Sequence, residues 1–169
     1  KFLKSSQEFC GKFTSPPGDK LFACGAGHKS ATIDAYGNVQ VCMLVRHPET
    51  TYSLRNGTLE DALDSFFPKV LARKSENSEY LEKCAKCFLK GMCSQCPGRS
   101  WGEFGTLDTP VPYFCEVTHT QARWLGLIGE DENSWEVENW RQRLDDFVKN
   151  KGPQMDADTH KYKMQSLLD

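Results

Sequence analysis

Cys84-Ala85-Lys86-Cys87-Phe88-Leu89-Lys90-Gly91-Met92-Cys93-Ser94-Gln95-Cys96 is the stretch on which the reading of this chain turns. Thiolates are soft ligands that suit zinc or iron-sulfur clusters, and four on one short segment repel each other unless a cation binds them. The segment from 78 to 96 has few branched apolar residues, so its conformation is expected to be set by ligands and not by burial. Zinc ribbons separate two Cys-x2-Cys knuckles by roughly 15–20 residues, so that both close on one tetrahedral ion. Here only five residues separate the knuckles, which is tight for that geometry. An iron-sulfur cube is larger than a single ion and takes its cysteines from corners farther apart. Dispersed ligands such as Cys93 and Cys115 can therefore share one cluster, and the spacing tilts toward clusters over zinc.

Working outward, the eight cysteines stand at positions 10, 24, 42, 84, 87, 93, 96 and 115. Such a density calls for an oxidising compartment or a metal. No basic, hydrophobic, small-residue series marks a signal peptide, which favours metal. A disulfide framework stays open, since eight is even, although close Cys-x2-Cys pairs are more typical of metal or redox sites. The 169 residues are 38% hydrophobic, with a mean hydropathy of -0.58. The apolar core is therefore modest for one domain, and a metal would contribute to stability. With 21 Lys and Arg against 23 Asp and Glu, the chain lacks the basic excess that nucleic-acid binding requires. No apolar run approaches the ~20 residues of a membrane span, so the expectation is a soluble, cytoplasmic protein with no membrane partner. Residue 1 is Lys, and the expectation is a chain cut from something longer.

Lys1 to Lys20 is polar, contains Pro16-Pro17-Gly18 and shows no sustained period, so 1–23 reads as a linker carrying the isolated Cys10. Ala31 to Ala35 and Val39 to Cys42 flank Tyr36-Gly37-Asn38, a β-hairpin that delivers Cys42 at the end of its second strand. Thr58 and Asp61 suggest a capped helix with Leu59, Leu63, Phe66 and Phe67 on one face. Pro68 should interrupt it, and a second helical stretch should follow to about Arg73. Asn133 and Glu136 suggest another cap, for an amphipathic helix from about Ser134 to Asn150 carrying Val137, Trp140, Leu144, Phe147 and Val148. Gly152-Pro153 stops that helix, and 152–169 is a polar tail. The divisions are thus 1–23, 24–126, 127–151 and 152–169. The fold class is α+β, a small cysteine-rich domain of a hairpin and short helices with a C-terminal amphipathic helix.

Cys24, Gly37, Cys42, Cys84, Cys87, Cys93, Cys96 and Cys115 follow in order the pattern Cys-x(9 to 15)-Gly-x4-Cys, a gap, Cys-x2-Cys-x5-Cys-x3-Cys, a gap and a last Cys. This arrangement resembles the SPASM domain, the auxiliary iron-sulfur domain of radical S-adenosylmethionine (AdoMet) enzymes that modify peptides and proteins. Asn56-Gly57-Thr58-Leu59-Glu60-Asp61 is similar to that family's link from hairpin to helix. One departure is visible: Ser94 and Gln95 alone separate Cys93 from Cys96, where three residues are usual. The resemblance covers about Cys24 to Cys115.

The resemblance implies two four-iron, four-sulfur clusters with interleaved ligands. By analogy Cys84, Cys87, Cys93 and Cys115 hold one, and Cys24, Cys42 and Cys96 the other, with Cys10 the candidate for the missing fourth ligand. Zinc is expected in aerobic preparations, because exposed clusters oxidise. The AdoMet-cleaving Cys-x3-Cys-x2-Cys does not occur, so the chain has no AdoMet site or catalytic residue of its own and is expected to be a fragment of an enzyme. AdoMet would bind only an upstream barrel, acting in cis or in trans, with a peptide or protein as substrate. Met43 follows Cys42 where sulfatase-maturing members carry aspartate, which favours a peptide- or natural-product-modifying parent. The expected function is electron transfer and substrate positioning. The alternatives are a structural zinc domain for protein contacts and a stand-alone peptide-binding module. His28, His47, His119 and His160 show no paired ligand spacing, and Arg46, Arg55 and Arg99 read as solvated. Trp101-Gly102-Glu103-Phe104-Gly105 is a candidate loop near a substrate channel.

Overall fold

The structure is a computed structural model that describes residues 17–150. Cys10, His160 and the polar tail 152–169 lie outside the described residues. The chain is mixed α and β, with a three-stranded antiparallel sheet and helices following it.

Strands β1 (Thr32–Ile33) and β2 (Asn38–Gln40) form the expected hairpin, with Ile33 opposite Val39. Its turn is built by Asp34, whose carboxylate accepts from the backbone N–H of Tyr36 and of Asn38, both at 2.9 Å. Gly37 supplies the left-handed φ of 79° that this turn needs. A third strand, β3 (Thr51–Ser53), pairs with β2 with Val39 opposite Tyr52. Its Thr-Tyr-Ser run holds strand-favouring residues but is too short to show an alternation. It is recruited because β2 would otherwise present an unpaired edge over the core.

Helix α1 runs without interruption through Leu59–Asp61, Ala62–Phe66 and Phe67–Leu71. Its start is a full capping box: Thr58 Oγ1 accepts from the Asp61 N–H at 3.1 Å, and Asp61 Oδ2 accepts from the Thr58 N–H at 2.9 Å. Pro68 does not break the helix as expected. The preceding turn widens to π winding, with the Phe67 N–H donating to the Ala62 carbonyl, which relieves the clash of a proline ring with the turn below it. Further on come helices α2 (Pro97–Phe104), α3 (Pro112–Trp124) and α4 (Trp140–Asn150).

Two small cores flank the cysteine-rich segment. Val39, Val41, Val45, Ala62, Phe67, Val70 and Tyr80 form one with Leu21 and Phe22. Each large side chain buried there contributes about 1.5–3 kcal/mol. Lys20 to Phe22, assigned to a linker by composition, thus belong to the folded unit. The Leu21 N–H donates to the Arg73 carbonyl at 3.1 Å, and the Ser75 N–H to the Asp19 carbonyl at 2.9 Å. The second core gathers Phe88, Leu89, Ala122, Leu127 and Ile128, with Trp140, Leu144 and Phe147 of α4 packed on it. Phe88 stacks on Trp140 at 6.1 Å between centroids. Burial as well as any ligand therefore fixes the segment 78–96: Tyr80, Phe88 and Leu89 are each anchored in a core.

Helix α4 starts at Trp140, six residues after the expected Ser134. Asn133 and Glu136 do interact, but through a turn, with Asn133 Nδ2 donating to Glu136 Oε2 at 3.1 Å. Ser134 is drawn inward to side-chain partners on the cysteine segment and on α3, and this tertiary pull overrides the local helical signal. Arg143 fastens α4 back to this turn through Glu132, at 2.8 Å for its second nitrogen.

Candidate metal centre

Each cysteine of the central segment is positioned by a separate local device. Cys84 ends a short π-helix, Tyr80–Cys84. The Tyr80 N–H is capped by Asn77 Oδ1 at 3.1 Å. Ahead of it the Asp108 carboxylate accepts from Ser75 Oγ at 3.0 Å and from the N–H groups of Glu76 and Asn77 at 3.1 Å. Cys87 precedes the 3-10 turn Phe88–Gly91, whose buried Phe88 and Leu89 pin it to the second core. Cys93 follows, with its N–H donating to the Leu89 carbonyl at 3.0 Å. Its sulfur accepts from the Gln95 N–H at 3.4 Å, the kind of backbone donor that stabilises a thiolate.

Gln95 then ties this knuckle to the approach of α3. Its Nε2 donates to Ser100 Oγ at 2.7 Å and its Oε1 accepts from the Val111 N–H at 3.1 Å. Val111 is the residue before α3, and Pro112 opens that helix. Cys115 sits in the first turn of α3. Together Cys84, Cys87, Cys93 and Cys115 line one cavity of about 520 Å³, closed further by Tyr80, Leu107, Val111 and Trp135. Cys24 and Cys96 also reach its wall.

Burial pushes the Cys84 thiol up to about 12, reinforced by the charges that Cys87, Cys93 and Cys115 would carry. Burial likewise pushes Cys87 up to about 11, opposed by its hydrogen bond with Ser134. Cys115 is raised by burial and then by Cys93. These mutual effects mean that the four sulfurs lie within electrostatic reach of each other. Four crowded thiolates are unfavourable alone, and a bound cation reverses the sign of that interaction. Lys90 supplies one fixed positive charge nearby. Its Nζ donates to the carbonyls of Gly18 at 2.7 Å and Lys20 at 3.1 Å and lies 5.0 Å from the Tyr80 ring.

The segments that carry the remaining ligand candidates are linked by contacts at Gly27 and Gly98. Gly27 has φ 71°, and its N–H donates to the Val41 carbonyl at 3.0 Å, setting the loop after Cys24 beside the strand end that carries Cys42. Cys96 precedes α2, and Gly98 two residues on packs so closely on Leu44 that a β-carbon there would stand 2.6 Å from Leu44 Cβ. The segments bearing Cys24, Cys42 and Cys96 therefore converge. Cys24 is exposed, and Cys42 and Cys96 are half-buried.

No disulfide joins any of the seven cysteines among the described residues. Also among the described residues, no three Cys, His, Asp or Glu side chains are grouped closely enough to hold a single metal ion. A tetrahedral zinc site would bring its sulfurs to about 2.3 Å from one point. Cys84, Cys87, Cys93 and Cys115 line a cavity. An all-sulfur donor set around such a space fits, in its chemistry, a polynuclear iron-sulfur group of the kind that cysteine ligands hold.

Sequence reasoning passed over three contributors. Ser134 enters the sequence reading only as a helix start, Gln95 only as a spacer between Cys93 and Cys96, and Asp108 carries no motif. His119 lacked paired spacing yet is buried, with Nδ1 2.9 Å from the Cys115 carbonyl oxygen and Trp135 against its ring. Arg46, Arg55 and Arg99 are exposed, in keeping with their solvated reading, and His28 is exposed as well. Trp101 to Phe104 form the second half of α2, which ends at Gly105 with φ 69°, so this stretch is a helix end and not a loop. Among the described residues, no helix is long and apolar enough to cross a membrane. No family model matches the chain, and no curated protein or solved structure is significantly similar to it.

Proposed function

We propose that this chain is an auxiliary iron-sulfur domain, serving electron transfer and substrate positioning in a radical AdoMet enzyme that modifies a peptide or natural product. The observation that carries the reading is the single cavity lined by Cys84, Cys87, Cys93 and Cys115. The ordered cysteine pattern adds a second ligand set of Cys24, Cys42 and Cys96, with Cys10 as its candidate fourth member. When bound, a four-iron cluster supplies one-electron transfer at a potential set by hydrogen bonds to sulfur, net charge and solvent exposure.

The chain's own residues serve that role in distinct ways. The Gln95 N–H offers Cys93 a hydrogen bond, Lys90 contributes positive charge beside Cys84 and Cys87, and Leu107, Val111 and Trp135 exclude water from the cavity wall. The radical AdoMet barrel, in cis or in trans, and the peptide substrate are the partners in this reading.

Anaerobic reconstitution with iron and sulfide tests it. About eight irons and eight sulfides per chain, with broad visible charge-transfer absorption, are expected for two four-iron clusters. Cys87→Ala and Cys42→Ala should each remove about half of the iron, because the ligand sets are disjoint. Anaerobically isolated protein holding zinc and no iron would instead establish the structural zinc domain.

A further inference from the structure

Ser134 and His119 lie outside the proposed donor set, yet their side chains connect two of its members. Ser134 is 1% exposed and His119 5%. The Ser134 backbone N–H donates to His119 Nε2 at 3.3 Å, so Nε2 holds the lone pair and Nδ1 the proton. Nδ1–H in turn donates to the Cys115 carbonyl oxygen at 2.9 Å. On the opposite side, Ser134 Oγ stands 3.0 Å from His119 Nε2 and 2.9 Å from Cys87 Sγ. With Cys87 as a free thiol, the S–H donates to the serine oxygen and the serine O–H donates to Nε2.

A metal-bound sulfur carries no proton and can only accept. Turning the Ser134 O–H from Nε2 to sulfur then satisfies that acceptor, and Nε2 keeps the backbone N–H of Ser134 as its partner. No buried group is orphaned in either state. The ring is held for this by Trp135, whose centroid lies 5.3 Å from that of His119 in an edge-on contact.

We propose that Ser134, oriented by His119, is a positioning residue that donates its hydroxyl to the Cys87 sulfur when a cluster is bound, and thereby raises the reduction potential of that cluster. This rests on the reading of Cys84, Cys87, Cys93 and Cys115 as a cluster ligand set. A hydrogen bond to a ligating sulfur favours the more electron-rich, reduced state. The assignment also explains why Ser134 leaves the helical register that its own sequence favours: its place is fixed by Cys87 and His119.

The test loads the full chain anaerobically with iron and sulfide and compares wild type, Ser134→Ala and Ser134→Thr by redox titration and resonance Raman spectroscopy. Ser134→Ala should take up as much iron as wild type. Its reduction equilibrium constant for one of the two couples should fall about tenfold, about 59 mV for a one-electron process, with the other couple unmoved. The iron-to-cysteine stretching bands of that cluster should shift, and Ser134→Thr, which keeps the hydroxyl, should restore the wild-type potential and bands. A loaded Ser134→Ala protein with wild-type potential and spectrum would overturn the proposal. If Ser134→Ala fails to load, threonine decides: wild-type loading and potential support the donor role, and failure of threonine as well overturns it. Wild-type protein that takes up no iron would remove the cluster function itself, a result distinct from a loaded cluster that ignores Ser134.

Discussion

Replacing Gly98 by alanine opposes two effects of known sign on one helix. Gly98 lies inside α2 with helical backbone, so alanine there should gain about 1 kcal/mol from helix propensity. Against this, the added β-carbon would stand 2.6 Å from Leu44 Cβ and 3.2 Å from the Leu44 carbonyl carbon. Carbon atoms in good contact lie about 3.5–4.0 Å apart, so roughly 1 Å must be found by moving α2 or the Leu44 backbone. Overpacking of this kind costs about 1–3 kcal/mol, and the obstacle is backbone and Cβ, with no flexible side-chain end to give way. The clash should win, with net destabilisation of up to about 2 kcal/mol.

The same displacement pushes the segment of Cys96 away from that of Cys42, so under the proposed two-cluster reading iron should fall from about eight to about four per chain while the site of Cys84 and Cys87 still loads. Gly102 on the same helix is the control, since nothing lies within 4 Å of its would-be β-carbon. Gly102→Ala should be stabilising by up to about 1 kcal/mol, with full iron content. Urea denaturation of the reduced proteins, followed by circular dichroism, together with iron analysis, reads both outcomes. Equal midpoint shifts of the same sign for the two variants, or full iron in Gly98→Ala, would refute the reasoning.

Asp108→Ala removes three hydrogen bonds that fix the turn ahead of Cys84, and should destabilise the fold by about 2 kcal/mol in the same denaturation assay. Asp108→Asn, which keeps a carbonyl acceptor, should lose less. The metal-free fold should lose stability between about pH 9 and about pH 12, because the Cys84 thiol stays protonated up to about 12 when folded and ionises near 9 when unfolded. The unfolded chain then binds fewer protons than the folded one as pH rises, and Cys87, pushed up to about 11, acts in the same direction. Denaturation midpoints at pH 7 and pH 10 check the sign; a midpoint that rises with pH would contradict it.

Several features could be read along the chain because their causes are local. The hairpin turn needs only Asp34 to hold two backbone N–H groups and Gly37 to take a positive φ, and both lie within five residues. The capping box of Thr58 and Asp61 is likewise complete within four residues. The thiol spacing from Cys84 to Cys96 is local too, and those four cysteines line one cavity; the metal chemistry that crowded thiolates suggest stays a proposal.

What required the tertiary structure depends on partners distant in sequence. Strand β3 pairs along the edge that β2 offers, and its three residues, though Thr51 and Tyr52 favour strands, are too few to show a period. Pro68 stays helical because the turn before it can widen while Phe67 and Val70 remain buried. Lys20 to Phe22 looked like linker until Arg73 and the first core claimed them. Ser134 abandons a helix start because Cys87, 47 residues earlier, and His119, 15 residues earlier, offer its hydroxyl buried partners. Local hydrogen bonds are written in neighbouring residues, whereas burial and long-range pairing depend on which distant segments the fold brings together, and spacing along the chain does not encode that.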